Sequence, residues 1–200
     1  MRGTVAAAVA VLGLASCGGG GDNPLDNPNS LQNPALTGNQ KLAFAYFQEC
    51  VFPVFLLPLP IRFANGTTAT NTCAASGCHD NANGTGGAFR VIPNAQPIDL
   101  TNPANTADII RASDMYKNFY SAQGEVVFGN PLGSRILAKP MVNGVLHGGG
   151  LVFENAQDAN ARLIQYWINN PSPGNRDEFD PSTFSMFTPA NPNTGTCNTQ

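Results

Sequence analysis

The sequence predicts a mostly α fold, a few short helices joined by long loops rich in glycine and proline. Apolar residues recur at helical spacing in three separate segments. The 21 Gly and 16 Pro among 200 residues exceed the average share, so turns are frequent and elements short. The hydrophobic fraction of 42% is enough for one buried core. A chain of this length excludes a large two-domain enzyme. The lack of an uninterrupted apolar stretch of about 20 residues excludes a polytopic membrane protein.

Residues 1–16 carry the anatomy of a secretory signal peptide: Arg2, then a short apolar run from Val5 to Leu14. Leu14-Ala15-Ser16-Cys17 resembles the lipobox of bacterial lipoproteins, in which the cysteine is acylated and becomes the first mature residue. Residues 17–38, beginning Gly18-Gly19-Gly20-Gly21, have little to bury and read as a flexible tether. Residues 39–170 are the expected folded domain, and 171–200 a polar tail of little pattern.

Within the domain, Leu42, Phe44, Phe47, Cys50 and Val51 predict a helix over Asn39 to Val51. Pro53, Pro58 and Pro60 are expected to make Val51 to Ile61 an apolar, non-helical core wall. Asn65 to Thr72 reads as a polar loop, and Asn81 to Gly87 as a surface turn without the Gly-Lys-Ser/Thr of a phosphate loop. A second helix is expected over Asn105 to Tyr120, capped by Thr106, with Ile109, Ile110, Met115 and Phe119 as its apolar stripe. Ala122 to Phe128 suggests a short extended piece, and Pro131 to Ala138 one or two helical turns ended before Pro140. Met141 to Gly150 is a glycine-rich loop. The clearest helix is Ala156 to Asn169, with Asn155 as cap and Leu163, Ile164, Trp167 and Ile168 inward. Trp167, Phe44, Phe47, Phe52 and Phe89 are core candidates.

Charged residues are only 12% and the formal net charge is −3, with no basic patch to hold phosphates. Nucleic acid is therefore excluded as a partner.

The chemistry concentrates in Cys73-Ala74-Ala75-Ser76-Gly77-Cys78-His79. Covalent haem attachment needs two thiols that reach two vinyl groups and an imidazole that coordinates the iron. The usual spacing places two residues between the cysteines; here there are four, all small enough to bulge outward. Two other readings of the residues stand beside it. Cys73 and Cys78 could form a disulfide, or Cys73, Cys78, His79 and His147 could bind zinc, for which the Cys-His adjacency is poor.

With that longer spacing, the chain resembles a c-type cytochrome. The resemblance widens through Asn130-Pro131-x-x-Ser134-x-Ile136-Leu137-x-Lys139-Pro140, then His147-Gly148-Gly149-Gly150 and a helix with Trp167-Ile168. This order is similar to the single-haem cytochrome c domains of planctomycete-type and other environmental bacterial secreted proteins, over roughly Phe47 to Asn170. It implies cytochrome c-like helices around one covalently attached haem c, held by Cys73, Cys78 and His79. The chain has two histidines. The distal iron ligand is expected to be His147, whose position matches the family's histidine, with Met141 as the alternative. Met115 and Met186 are weaker candidates, and a solvent-exposed His147 is the plain alternative.

With Cys17 assigned to lipid and Cys73 and Cys78 to haem, Cys50 and Cys197 remain, and in an oxidising compartment they are expected to pair. The implied function is single-electron transfer outside the cytoplasm by a lipid-anchored carrier. No nucleophile, general base or carboxylate pair accompanies the motif, so the chain is not expected to be an enzyme by itself. Redox proteins are the expected partners, with the membrane reached through the anchor. Gly18, where an aspartate often retains lipoproteins at the inner membrane, favours the outer membrane, at its periplasmic or surface face. The alternatives are a haem-based ligand-binding or sensing protein with an open distal site, and a cofactor-free surface lipoprotein stabilised by disulfides.

Overall fold

A computed structural model describes residues 41–174 and 176–200. The signal peptide, the lipidation site Cys17, the tether and the first two residues of the expected first helix lie outside the described residues.

The first helix occupies the centre. It runs as α1 (Phe44–Tyr46), a π-helical turn (Phe47–Val51) and α2 (Phe52–Leu56). From Leu42 to Phe55 only Glu49 and Pro53 are not buried. A helix apolar all round is a core helix, and other elements must cover it. The expected break at Pro53 does not occur. The turn before it is widened, with the Phe52 N–H bonded to the Phe47 carbonyl five residues back. Loosening the ladder there accommodates a residue that has no N–H and whose ring would crowd a regular turn. The helix stops instead at Leu56, because Leu57 precedes Pro58 and is extended (ψ 140°).

β1 (Leu59–Arg62) then pairs antiparallel with β2 (Thr68–Asn71), Leu59 opposite Asn71 and Arg62 opposite Thr68. Leu59 and Ile61 are buried, as a core wall requires. The expected polar loop over 65–72 is thus half strand. β2 is exposed along its whole length and has no apolar face to reveal it.

The expected single helix over 105–120 is two: α3 (Ala107–Ala112) and α4 (Asp114–Gln123). Ser113 is extended between them, and its hydroxyl caps α4 by accepting from the Tyr116 N–H. Ile110, Met115 and Phe119 are buried, whereas Ile109 is 54% exposed because the break rotates it off the common stripe. Thr106 sits at the start of α3 without a side-chain cap bond. The expected extended piece over 122–128 is the end of α4 and turns. α5 (Arg135–Ala138) is a single turn before Pro140. α6 (Ala159–Asn169) begins later than expected. Its cap is Asp158, which accepts from the N–H groups of Asn160 and Ala161, while Asn155 closes the preceding turn. Ala161, Ile164, Trp167 and Ile168 form its buried face.

The tail is more ordered than its composition suggests. It holds a 3₁₀ helix (Pro181–Met186) and a ribbon of β3 (Phe187–Thr188) and β4 (Thr196–Cys197). Cys197 is disulfide-bonded to Cys50, their Cα atoms 6.0 Å apart. The Glu178 carbonyl accepts from the Phe44 N–H at 2.9 Å, capping the central helix, and the Tyr46 hydroxyl donates to the Asn198 carbonyl. The Glu178 carboxylate is itself buried and accepts from Lys41 (2.6 Å), Arg111 (3.0 Å) and the Tyr116 hydroxyl (2.8 Å). Burial alone would raise its pKa; the bonds from Lys41, its own backbone, Arg111 and Tyr116 outweigh that and hold it at about 2.

Two predictions follow from the tail. Replacing both Cys50 and Cys197 by serine should lower unfolding stability in urea by about 4–5 kcal/mol in the chain-entropy picture, since the disulfide spans 147 residues. An unchanged midpoint would show that the tail is held without it. Glu178→Gln should cost about 2–3 kcal/mol at pH 7, discounted because Lys41 and Arg111 are 40% and 37% exposed. The wild-type contribution is complete above the ordinary carboxyl pKa of 4.5 and is lost as pH falls through about 2, so the variant should lack this acid limb.

Candidate functional site

The Cys73–His79 segment folds as consecutive turns rather than a regular helix. The His79 N–H bonds the Cys73 carbonyl at 2.9 Å, and the Cys78 N–H bonds the Ala75 carbonyl at 2.8 Å. The four intervening residues thereby fold back, and Cys73 and His79 come together at the base of the loop. Ala74 is buried, and its N–H bonds the Phe55 carbonyl at 3.1 Å, fastening the loop to the end of α2. On the other side Val91 donates to the His79 carbonyl at 2.7 Å. Asp80 shapes the next turn by accepting from the N–H groups of Ala82 and Asn83.

A cleft of about 550 Å³ opens beside this loop. Cavities of this size take drug-sized and cofactor-sized molecules. Cys73, Cys78, His79 and His147 all line it. Its apolar walls include Phe55, Leu59, Ile61, Phe89, Phe153 and Ile164. Of the core aromatics expected from the sequence, Phe89 reaches this wall; Phe44 and Phe47 pack on Phe119 instead, and Phe47 and Trp167 lie with ring centres 5.4 Å apart.

The two imidazoles are 6.3 Å apart between ring centres and within 10° of parallel. Each has its Nδ1 within hydrogen-bond distance of a backbone carbonyl, His79 of Phe89 at 3.1 Å and His147 of Gly150 at 2.7 Å. A carbonyl only accepts, so this contact selects the tautomer with the proton on Nδ1. Nε2 then carries the lone pair on both rings, the arrangement typical of metal-ligating histidines. Neutral imidazoles this close together would be available to hold one metal ion between them. Burial lowers the His79 pKa, the Phe89 bond opposes this, and the charges of His147, Arg90 and Lys139 lower it further. The ring is therefore kept neutral, the form that binds metals.

His147 is brought here by its loop. Gly150 adopts φ +76°, its N–H bonds the His147 carbonyl at 2.9 Å, and Leu151 pairs with Arg62 of β1. Met141 packs against the core and does not line the cleft; Met115 and Met186 are buried. His147, not a methionine, is the side chain that the fold places beside His79 in the cleft.

Cys73 and Cys78 are not bonded to each other, in contrast to Cys50 and Cys197. Burial, reinforced by the nearby Cys78, raises the Cys73 thiol to about 11. It is a protonated thiol at neutral pH, unsuited to thiolate redox exchange. Among the described residues no three His, Cys, Asp or Glu side chains gather to hold a metal ion, so the four zinc candidates do not converge on one point. Two nearly parallel imidazoles, two thiols and apolar walls along one cleft could hold a flat metallocofactor by its rim and its centre.

Sequence reasoning missed Gly86, read only as part of a surface turn. A Cβ there would lie 2.6 Å from His79 Nδ1 and 2.7 Å from the Cys78 carbonyl oxygen. Nothing in the local pattern marks this, since the close approach arises when the turn folds back. The cleft-lining Arg135, Lys139 and Phe153 were likewise invisible as site residues. Gly86→Ala should displace the His79 ring and cost roughly 1–3 kcal/mol in urea unfolding. Gly77→Ala, in the Cys73–His79 loop with nothing within 4 Å of its Cβ, is the control expected to be near neutral. Equal effects of the two would refute the close packing of His79.

No protein-family model, no curated protein and no solved structure matches the chain.

Proposed function

We propose that this protein is an electron carrier that holds one haem c and works outside the cytoplasm. The observation that carries the reading is the parallel pair His79 and His147, 6.3 Å apart, with both Nδ1 atoms committed to carbonyls. Cys73 and Cys78 are the attachment points. In each thioether the S–H adds across a vinyl double bond, sulfur to one carbon and hydrogen to the other. The iron, once bound, supplies one-electron transfer by alternating between ferrous and ferric states.

The chain's own residues do the rest. The carbonyls of Phe89 and Gly150 fix both imidazoles and increase their basicity. Ligation by two histidines, rather than histidine and methionine, favours a low reduction potential. The apolar walls lower the local dielectric and exclude water. No site for a second substrate's chemistry is needed, and the role is that of a carrier for redox partner proteins rather than an enzyme. The short apolar run from Val5 to Leu14 followed by the Leu14-Ala15-Ser16-Cys17 segment supports export and lipid anchoring, and Gly18 supports the outer membrane. Among the described residues no helix is long and apolar enough to cross a membrane.

The test is a visible spectrum of the protein produced in a host that matures this cysteine spacing. One covalent haem with sharp low-spin bands is expected. His147→Ala should convert the spectrum to high-spin, and Met141→Ala should leave it low-spin. The opposite result would move the distal ligand to Met141. High-spin wild-type protein that binds carbon monoxide would make it a ligand-binding haem protein. A colourless product would overturn the haem reading altogether.

A further inference from the structure

α5 carries two cations on one face. Arg135 opens the helix and Lys139 follows one turn later, its N–H bonded to the Arg135 carbonyl at 3.1 Å. Residues four apart on a helix are neighbours, with Cβ atoms about 5–6 Å apart. Both side chains line the cleft that holds Cys73, Cys78, His79 and His147. Among the described residues Arg90, Arg135, Lys139 and Arg162 are in no ion pair, and of these four only Arg135 and Lys139 line the cleft. The one carboxylate in the cleft lining is Glu125, so its charged rim is net cationic in a chain of formal net charge −3.

Two unpaired cations at the rim of a cleft with apolar walls suit a ligand with anionic groups at its edge. A haem carries two propionate side chains on neighbouring ring positions. We propose that Arg135 and Lys139 are the anchor for these two carboxylates, and so set the orientation of the tetrapyrrole in the cleft. The proposal rests on the haem reading and adds to it the residues that choose which edge of the ring faces α5. The guanidinium can take a carboxylate through two parallel N–H bonds, and the ammonium acts as a point charge. Holding these groups at the rim places both negative charges at the water-facing side and leaves the apolar walls for the ring. Glu125 opposes this attraction and is outnumbered.

The experiment is a titration of the full chain, made in cells that do not attach haem, with ferric protohaem and separately with its dimethyl ester. The free diacid should bind at least tenfold more tightly than the ester. In an Arg135→Gln/Lys139→Gln double variant the ratio should fall to near one, while Arg135→Lys and Lys139→Arg should retain most of it. In the holoprotein the double variant should also shift the ferric/ferrous balance toward ferric. Two fewer positive charges near the iron favour the oxidised state, and a tenfold shift corresponds to 59 mV for one electron. A ratio near one in the wild type, or an unchanged preference in the double variant, overturns the anchor and leaves the haem site standing. Failure of the wild type to bind either compound overturns the haem reading, and the anchor with it.

Discussion

Burial of the Phe44–Leu56 helix on nearly all sides is the constraint on which the rest depends. A helix with no polar face must be wrapped, and few regular elements are available to do so. α4 and α6 cover it with Phe119 and Trp167, whose rings lie 5.5 Å and 5.4 Å from Phe47. Trp167 also donates through its indole N–H to the Ala43 carbonyl at 3.0 Å, which lets a large aromatic enter the core with its polar atom satisfied. The tail closes the remaining side. Its Glu178 links the helix entry to α3 and α4, and its Cys197 is bonded to Cys50 in the middle of the helix. Such wrapping by loops is the form a glycine- and proline-rich chain can sustain, because loop residues are anchored one by one rather than by long ladders.

The site is an outgrowth of that core. The Cys73–His79 loop is fastened to the end of the central helix through Ala74, and Phe55 from that helix forms part of the cleft wall. Phe55 and Phe89 meet edge to face with ring centres 5.1 Å apart, and Phe89 in turn supplies the carbonyl that orients His79. His147 arrives on a loop held to β1 by the Arg62–Leu151 bridge. Two histidines 68 positions apart in the chain are thus positioned by supports that trace to the end of the central helix and to the strand that follows it. Rigid support of this kind keeps two rings parallel without a bond between them.

Local pattern reached some of this and missed the rest for identifiable reasons. Helical periodicity located the cores of the first helix, α4 and α6, because apolar spacing survives whatever surrounds it. It mistook the ends. Asp158 and Asn155 are both competent caps, and only the path of the chain chose Asp158. Ser113 divides one apolar stripe into two helices, and Pro53 is absorbed by a π turn where a break was expected. The tail looked patternless because its buried residues, among them Glu178, Thr183, Met186 and Phe187, mix polar with apolar and are irregularly spaced.

The sequence by itself determined the parts: a seven-residue segment with two cysteines and a histidine, a second histidine among glycines, two cysteines left over, and apolar stripes sufficient for a core. Those are properties of residue type and short-range spacing, which chemistry reads directly. Only the tertiary structure decided that His147 rather than Met141 faces His79, that Gly86 must lack a side chain, and that Arg135 and Lys139 look into the same cleft. Each of these depends on segments far apart in the chain meeting in space, and such meetings are set by how the core closes around the central helix, not by any local pattern.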